Sequence, residues 1–229
     1  MKKTIAALAA LTLLLGACQT MVRKNTSATF EWTSPTRRVV LVQPDVELGA
    51  LEASGSVEPR ADWTATAHKF IYADIAAHLA KKGAVLVGAD NLTDPHEIQI
   101  AKLHGAVGQA ILLHLYNPQL KLPSKGDALD WTLGPGATAL RDHYGADYAL
   151  FVYVRDSYTS TGRAMLMIGA ALFGVGVPGG GQQTGFASLV DLRTGNIVWF
   201  NRIISGSGDL RTAAPAQKTV DDLLKEMPV

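Results

Sequence analysis

One cysteine, Cys18, stands among 229 residues, and it constrains the fold before any other residue does. No disulfide can form within the chain, so packing alone must hold it together. Cys18 follows a basic start, Met1-Lys2-Lys3, and an apolar run from Ile5 to Leu15. That order is the pattern of an export signal. The run falls short of the roughly 17–25 residues that a spanning helix needs. The small residues Gly16 and Ala17 come directly before the cysteine, as a signal peptidase requires. An unpaired cysteine in an exported chain calls for an explanation. A buried thiol acting as a small hydrophobe is the plain alternative, but it leaves the basic start, the apolar run and the small residues as coincidences.

Leu15-Gly16-Ala17-Cys18 resembles the lipobox of bacterial lipoproteins. The resemblance implies that residues 1–17 are a signal peptide and that the Cys18 thiol carries a diacylglycerol. It also implies that the amine freed by cleavage is acylated. One acyl chain anchors a protein only marginally, whereas two or three make the anchor durable. Gln19, rather than Asp, occupies the second mature position. By the same resemblance this favours the outer membrane, with the protein lipid-anchored on the periplasmic face.

Hydrophobic residues make up 48% of the chain and charged residues 18%, which is ordinary globular composition. The roughly 210 residues left after cleavage suffice for one sizeable core. The net charge of +1 includes Lys2 and Lys3, so the mature chain is close to neutral. A nucleic-acid binder carries a basic excess or face, and no nucleic-acid partner is expected here.

Residues 18–37 are expected to form a lipidated tether, since 19–36 are polar and show no helical or strand period. Extended, such a tether reaches about 60 Å. Arg23, Lys24, Arg37 and Arg38 face a single acid, Glu31. They suit anionic head groups, but a solvated linker is the plainer reading. Residues 38–229 are expected to form one periplasmic α/β domain. "VVLV" at 39–42, ended by Pro44, reads as a strand, and 45–60 as a loop. Residues 62–82 read as a helix with Ala67, Phe70, Ile71, Ile75, His78 and Leu79 on one face. "AVLVGA" follows as a buried strand, giving a parallel strand–helix–strand unit.

Asp94, Pro95 and Glu97 open a second helix, running to about Tyr116, as cap, first-turn proline and capping-box acid. Gly105 and Gly108 within it signal either close packing or a break. A short helix at about 135–144 and a strand at 148–154, "YALFVYV", come next. Two apolar runs flanking "DLRTGN" read as a β-hairpin, with Gly195 and Asn196 suited to its turn. A helix over 213–226 ends the chain. The expected architecture is a single three-layer-like α/β domain: a mixed sheet of about five strands, a C-terminal β-hairpin and flanking helices.

"LRDHYGADYALFVYV" and the hairpin "SLVDLRTGNIVWFNR" resemble one recurring bacterial pattern. It is found in the curli-secretion-channel lipoproteins and the penicillin-binding-protein activator lipoproteins. The resemblance implies an α/β domain like the N-terminal domain of TolB. It implies a binding or scaffolding role in an envelope assembly. The alternative it offers is a subunit of an oligomeric secretion complex, and hence a homo-oligomer. Beyond Cys18 it transfers no functional residue, and the envelope partner stays unidentified.

No catalytic set assembles from spacing. His96-Glu97 begins a His-Glu-x-x-His zinc motif, but position 100 is Ile100. His96 and His104 are eight residues apart, too far for one metal on a straight helix. Asp74 and His78 read as a surface pair. "GVGVPG" at 174–179 lacks the strand-to-helix context of a dinucleotide site. "SGSG" at 205–208 is not a nucleophile elbow. No catalytic residue, metal or cofactor is therefore assigned, and the chain is expected not to be an enzyme; an envelope enzyme with an unrecognised site ranks third among the readings. The strongest anomaly is Ala164 to Val177, fourteen residues without a charge. Its length fits a packed helix followed by a glycine-rich turn, and that is the favoured expectation. The sharper alternative is a membrane or partner contact made by Met165, Met167, Ile168, Leu172 and Phe173.

Overall fold

The computed structural model describes residues 26–27, 30–32, 36–89, 92–177, 179–204 and 208–228. The expected signal peptide, Cys18, Gln19, Arg23, Lys24, Pro178 and most of "SGSG" lie outside the described residues.

The spine of the sheet is one long strand. Strand β1 is Arg38–Val42, β2 is Asp45–Leu51 and β5 is Tyr148–Thr159. Both β1 and β2 lie parallel to β5 along the same edge, with Val39 opposite Tyr148 and Asp45 opposite Tyr153. They are two halves of one strand, interrupted at Gln43-Pro44. Proline has no N–H to donate to a ladder, so it falls where pairing is broken. Beyond β1 lies β4 (Val85–Ala89), parallel to it; beyond β2 lies the short antiparallel β3 (Val57–Pro59). On the other edge of β5 runs the antiparallel hairpin of β6 (Thr184–Asp191) and β7 (Ile197–Ile204). Seven strand segments thus make a mixed sheet about five strands wide, as expected.

Successive side chains of a strand point to opposite faces, and β5 serves two cores in this way. Tyr148, Leu150, Val152 and Val154 face one core, against α1 (Ala61–Lys81) and α5 (Ala213–Leu223). Ala149 and Phe151 face the other, against α2 (Pro95–His114) and α3 (Thr138–Tyr144). The result is helix, sheet, helix. In α1 the buried residues Ala67, Ile71, Ile75 and Leu79 recur every four positions and meet the sheet as one stripe. Asp94 caps α2 by accepting from the backbone N–H groups of His96 and Glu97. The helix runs unbroken through Gly105 and Gly108. A Cβ on Gly108 would lie 2.0 Å from the Phe186 ring, so glycine there permits close packing. The hairpin turn uses positive φ at Gly195 alone, where φ is 76°, and not at Asn196.

Three expectations need correction. Residues 45–60 are not a loop: β2 and β3 lie there. In β2 the charged Asp45 and Glu47 point outward while Val46 and Leu48 are buried, a period-two pattern that the charges concealed. "AVLVGA" forms an edge strand, not a buried one; Val85 is exposed and within β4 only Ala89 is buried. The segment read as a tether is docked over part of its length. Thr26 bridges to Trp199, and the Ser27 N–H donates to the Val198 carbonyl. Phe30 and Trp32 pack edge-on against Tyr148, with ring centroids 5.7 and 4.6 Å from it. Trp32 Nε1 donates to the Pro228 carbonyl at 2.7 Å, closing N- and C-terminal segments together.

Candidate functional site

The uncharged stretch folds as helix α4, Thr161–Leu172, which leaves the end of β5. Ser160 starts it: its hydroxyl accepts from the Arg163 N–H, and its own N–H donates to the Leu51 carbonyl at 3.0 Å. Arg163 is buried and sends Nη1 to the Glu52 carbonyl. Its charge is therefore drawn back into the domain. Gly174, with φ 71°, and the Val175 N–H bonded to the Ala170 carbonyl close the other end.

The helix is as expected, but its packing is not. Met165 is 65% exposed, Ile168 60%, Leu172 80% and Phe173 86%. The expectation of a core helix fails because the sheet beneath it has ended. Pairing of β5 with β6 stops at Arg155–Thr184, and with β2 at Leu51–Thr159. At 100° per residue, Met165, Leu166, Ile168, Leu172 and Phe173 occupy an arc of about 160°. The half-buried positions Ala164, Met167 and Ala170 lie on the other side. Met167 therefore faces the domain, and the other four named contact residues face outward.

The titratable groups inside the domain are engaged in packing. His104 is enclosed: Nε2 lies 2.9 Å from the Ser188 hydroxyl, and the ring stacks on Phe151 at 4.8 Å. Burial lowers its pKa to about 3, so the imidazole is neutral. Glu97 departs from the capping-box expectation by turning inward, where His143 Nδ1 lies 2.6 Å from Oε1 and the Tyr144 hydroxyl donates to Oε2. His96 lines a separate surface pocket with Gln99, Thr138 and Asp142. His78 faces Asp221 of α5 rather than Asp74. Burial first, and Asp221 second, raise the Asp74 carboxyl above its usual range. Among the described residues no group of three His, Cys, Asp or Glu side chains is placed to hold a metal.

A buried cluster that sequence reasoning missed lies at the base of α4. The Tyr158 hydroxyl and Gln183 Nε2 both donate to Asp156 Oδ2, at 2.7 and 2.8 Å. The Leu210 N–H donates to that same hydroxyl. Burial raises the Asp156 pKa, opposed by the bonds from Tyr158 and Gln183; burial also raises that of Tyr158, with the Asp156 bond adding to it. The polar alternation after Val154 in "RDSYT" was the available signal.

No family model matches the sequence, and no curated protein matches it. Solved structures do resemble the fold. Lipoprotein GNA1162 from Neisseria meningitidis is 15% identical, over 80% of this chain and 92% of that one, with a TM-score of 0.35. The LpoB C-terminal domain from Salmonella enterica is 13% identical over 74% and 82%, with a TM-score of 0.28. Its counterpart from Escherichia coli is 18% identical over 72% and 79%, with a TM-score of 0.26. By their names the first is a lipoprotein and the other two are domains of LpoB. At these identities and TM-scores the likeness is one of fold outline and transfers no function to this chain.

Proposed function

We propose that this chain is an outer-membrane lipoprotein anchored through acylated Cys18, with its α/β domain in the periplasm. Its role is binding or scaffolding within an envelope assembly, with no catalytic step of its own. The observation that carries this reading is Leu15-Gly16-Ala17-Cys18 at the end of a short export signal. The docked residues Thr26, Ser27, Phe30 and Trp32 support it, because they fix the domain close behind the proposed anchor. His104 and Glu97 are enclosed by packing, His104 against the Ser188 hydroxyl and Glu97 against His143. Metabolic labelling with an alkynyl fatty acid tests the anchor. Label on the wild-type chain and none on Cys18→Ser is expected; equal labelling of both defeats the lipobox reading.

The exposed apolar face of α4 favours a second reading, a subunit of an oligomeric secretion complex. Light scattering of the full mature chain in detergent separates the two. A large closed ring supports the second reading, and a monomer the first.

A further inference from the structure

We propose that α4 is a second membrane contact, lying in the bilayer interface beside the lipid anchor. The inference rests on the reading of Cys18 as acylated. An apolar helix that the domain does not bury must be covered by something else, and the geometry points to lipid.

The docked N-terminus sets the distance. Cys18 precedes Thr26 by eight residues, which reach at most about 26–29 Å. That is half the span expected of the full tether. At Thr26 the chain is antiparallel to β7, so the N-terminal side of Thr26 is the side toward Ile204. That end of the sheet is the end from which α4 projects. Thr26 sits level with Trp199, which pairs through Leu189 to Leu150. The start of α4 is roughly ten residues further along β5, about 33 Å at the rise of a strand. Fully extended, the anchor's reach thus ends about 4–7 Å short of the level at which α4 starts, a gap that the acyl chains on Cys18 can span. A bilayer holding the acyl chains of Cys18 at that reach meets α4 at the same level.

The chemistry of the helix suits lipid. From Ala164 to Val177 there is no charge to desolvate, and Arg163 is folded back onto the Glu52 carbonyl. Among the described residues no helix is long and apolar enough to cross a membrane. Twelve residues give about 18 Å, which suits a helix lying in the plane of the interface. Arg23 and Lys24, between the anchor and the domain, supply the cations that anionic head groups attract.

The test uses the full mature chain, purified from membranes and reconstituted into vesicles of phosphatidylethanolamine and phosphatidylglycerol. Acylation consumes the thiol of Cys18, so Leu172→Cys carries an environment-sensitive fluorophore at one place. Gln119→Cys, exposed and remote from α4, carries it in the control. The expected result is blue-shifted emission and protection from an aqueous quencher at 172, and neither at 119. Equal quenching at both positions overturns the proposal. Protection at 172 that appears without vesicles and grows with protein concentration marks a second copy of the chain, and also overturns it. Intact mass reads acylation of Cys18 separately, so failure of the anchor is seen on its own. The chain from Gln19 onward, made without the signal peptide and without Cys18, then tests α4 alone. It is expected to float with vesicles, and Ile168→Glu with Leu172→Glu is expected to reduce that binding on the order of tenfold or more while leaving the melting temperature nearly unchanged. Unchanged flotation of the double variant defeats the proposal.

Discussion

Gly105 and Gly108 lie one turn apart on α2, and the same substitution should have opposite effects at the two. In a helix interior alanine is favoured over glycine by about 1 kcal/mol. At Gly105 an added Cβ meets Tyr153 at 3.7 Å, ordinary contact, so Gly105→Ala should realise much of that gain. At Gly108 the added Cβ lies 2.0, 2.3 and 2.7 Å from three atoms of the Phe186 ring. The ring must move by about 1.5 Å to restore carbon–carbon contact near 3.5 Å. It has nowhere to go: Phe186 is fully buried, stacked on Tyr153 at 4.7 Å and on Phe200 at 5.5 Å. Overpacking of this kind costs about 1–3 kcal/mol, and an enclosed ring belongs at the upper end. Offset by the propensity gain, Gly108→Ala should destabilise by about 2 kcal/mol, or roughly 4–8 °C in melting temperature for a domain of this size. Urea unfolding followed by circular dichroism measures both variants, with an unchanged slope showing that stability alone has altered. Phe186→Leu should lessen the cost of Gly108→Ala in a double-mutant cycle. If Gly108→Ala stabilises as Gly105→Ala does, the close packing of α2 on β6 is refuted.

Three further outcomes follow from the core, the buried imidazole and the docked N-terminus. Val152, 2% exposed between two layers of the sheet core, should not tolerate Asp; Val152→Asp should abolish the cooperative melt, since an unpaired carboxylate is strongly unfavourable there. His104 stays neutral when folded down to about pH 3 but takes a proton when unfolded near its ordinary value of 6.5. The unfolded state then binds more protons below pH 6.5, so stability falls as the pH drops, by at most about 1.4 kcal/mol per pH unit from this one group; His104→Gln should flatten that slope between pH 6 and 5, and an identical slope in both proteins would contradict it. Trp32→Ala removes the bond to the Pro228 carbonyl and the edge contact with Tyr148, and should cost about 2 kcal/mol in urea unfolding, as a half-buried aromatic truncation; no change would show that the N-terminal segment does not dock.

Much of the architecture was legible because it rests on periodicity. The stripe Ala67, Ile71, Ile75, Leu79 and the caps at Asp94 and Pro95 are local signals, and they place α1 and the start of α2 to within a residue or two. Hairpin chemistry around Gly195 is local as well. What the sequence concealed depends on neighbours distant along the chain. Pro44 breaks a local run, but whether a strand resumes after it depends on β5, one hundred residues on. The apolar "AVLVGA" reads as buried, yet its place at the sheet edge is decided by how β1 pairs. Trp32 and Phe30 read as part of a linker because their partners are Tyr148 and Pro228. In α4 the composition revealed an apolar helix, and only the length of the sheet beneath it decided that the helix is exposed.

That exposure also explains the polar chemistry of the sheet's far end. An apolar helix without a core beneath it needs its two connections held, or its residues would collapse onto the nearest apolar surface. Both connections are pinned. On the way out, the Ser160 N–H is bonded to Leu51 and Arg163 reaches Glu52, so the helix starts from β2 as well as from β5. On the way back, Gly181 lies so close to the Ser157 carbonyl that a Cβ there would overlap it, and the Gln182 N–H donates to the Ser157 hydroxyl. Gln183 and Tyr158 then share the buried Asp156 carboxylate, and the Tyr158 hydroxyl is tied to the Leu210 N–H ahead of α5. A carboxylate buried at this position is unfavourable by itself, and its pKa is raised accordingly. Its hydrogen bonds to Tyr158 and Gln183 offset that cost by directing the returning chain. The sheet is thus held by hydrophobic layers over Tyr148 to Val154, and beyond it by directed hydrogen bonds beside the packing of Leu48, Tyr158 and Leu210. The change from one to the other falls where the chain stops building a core and begins to present α4.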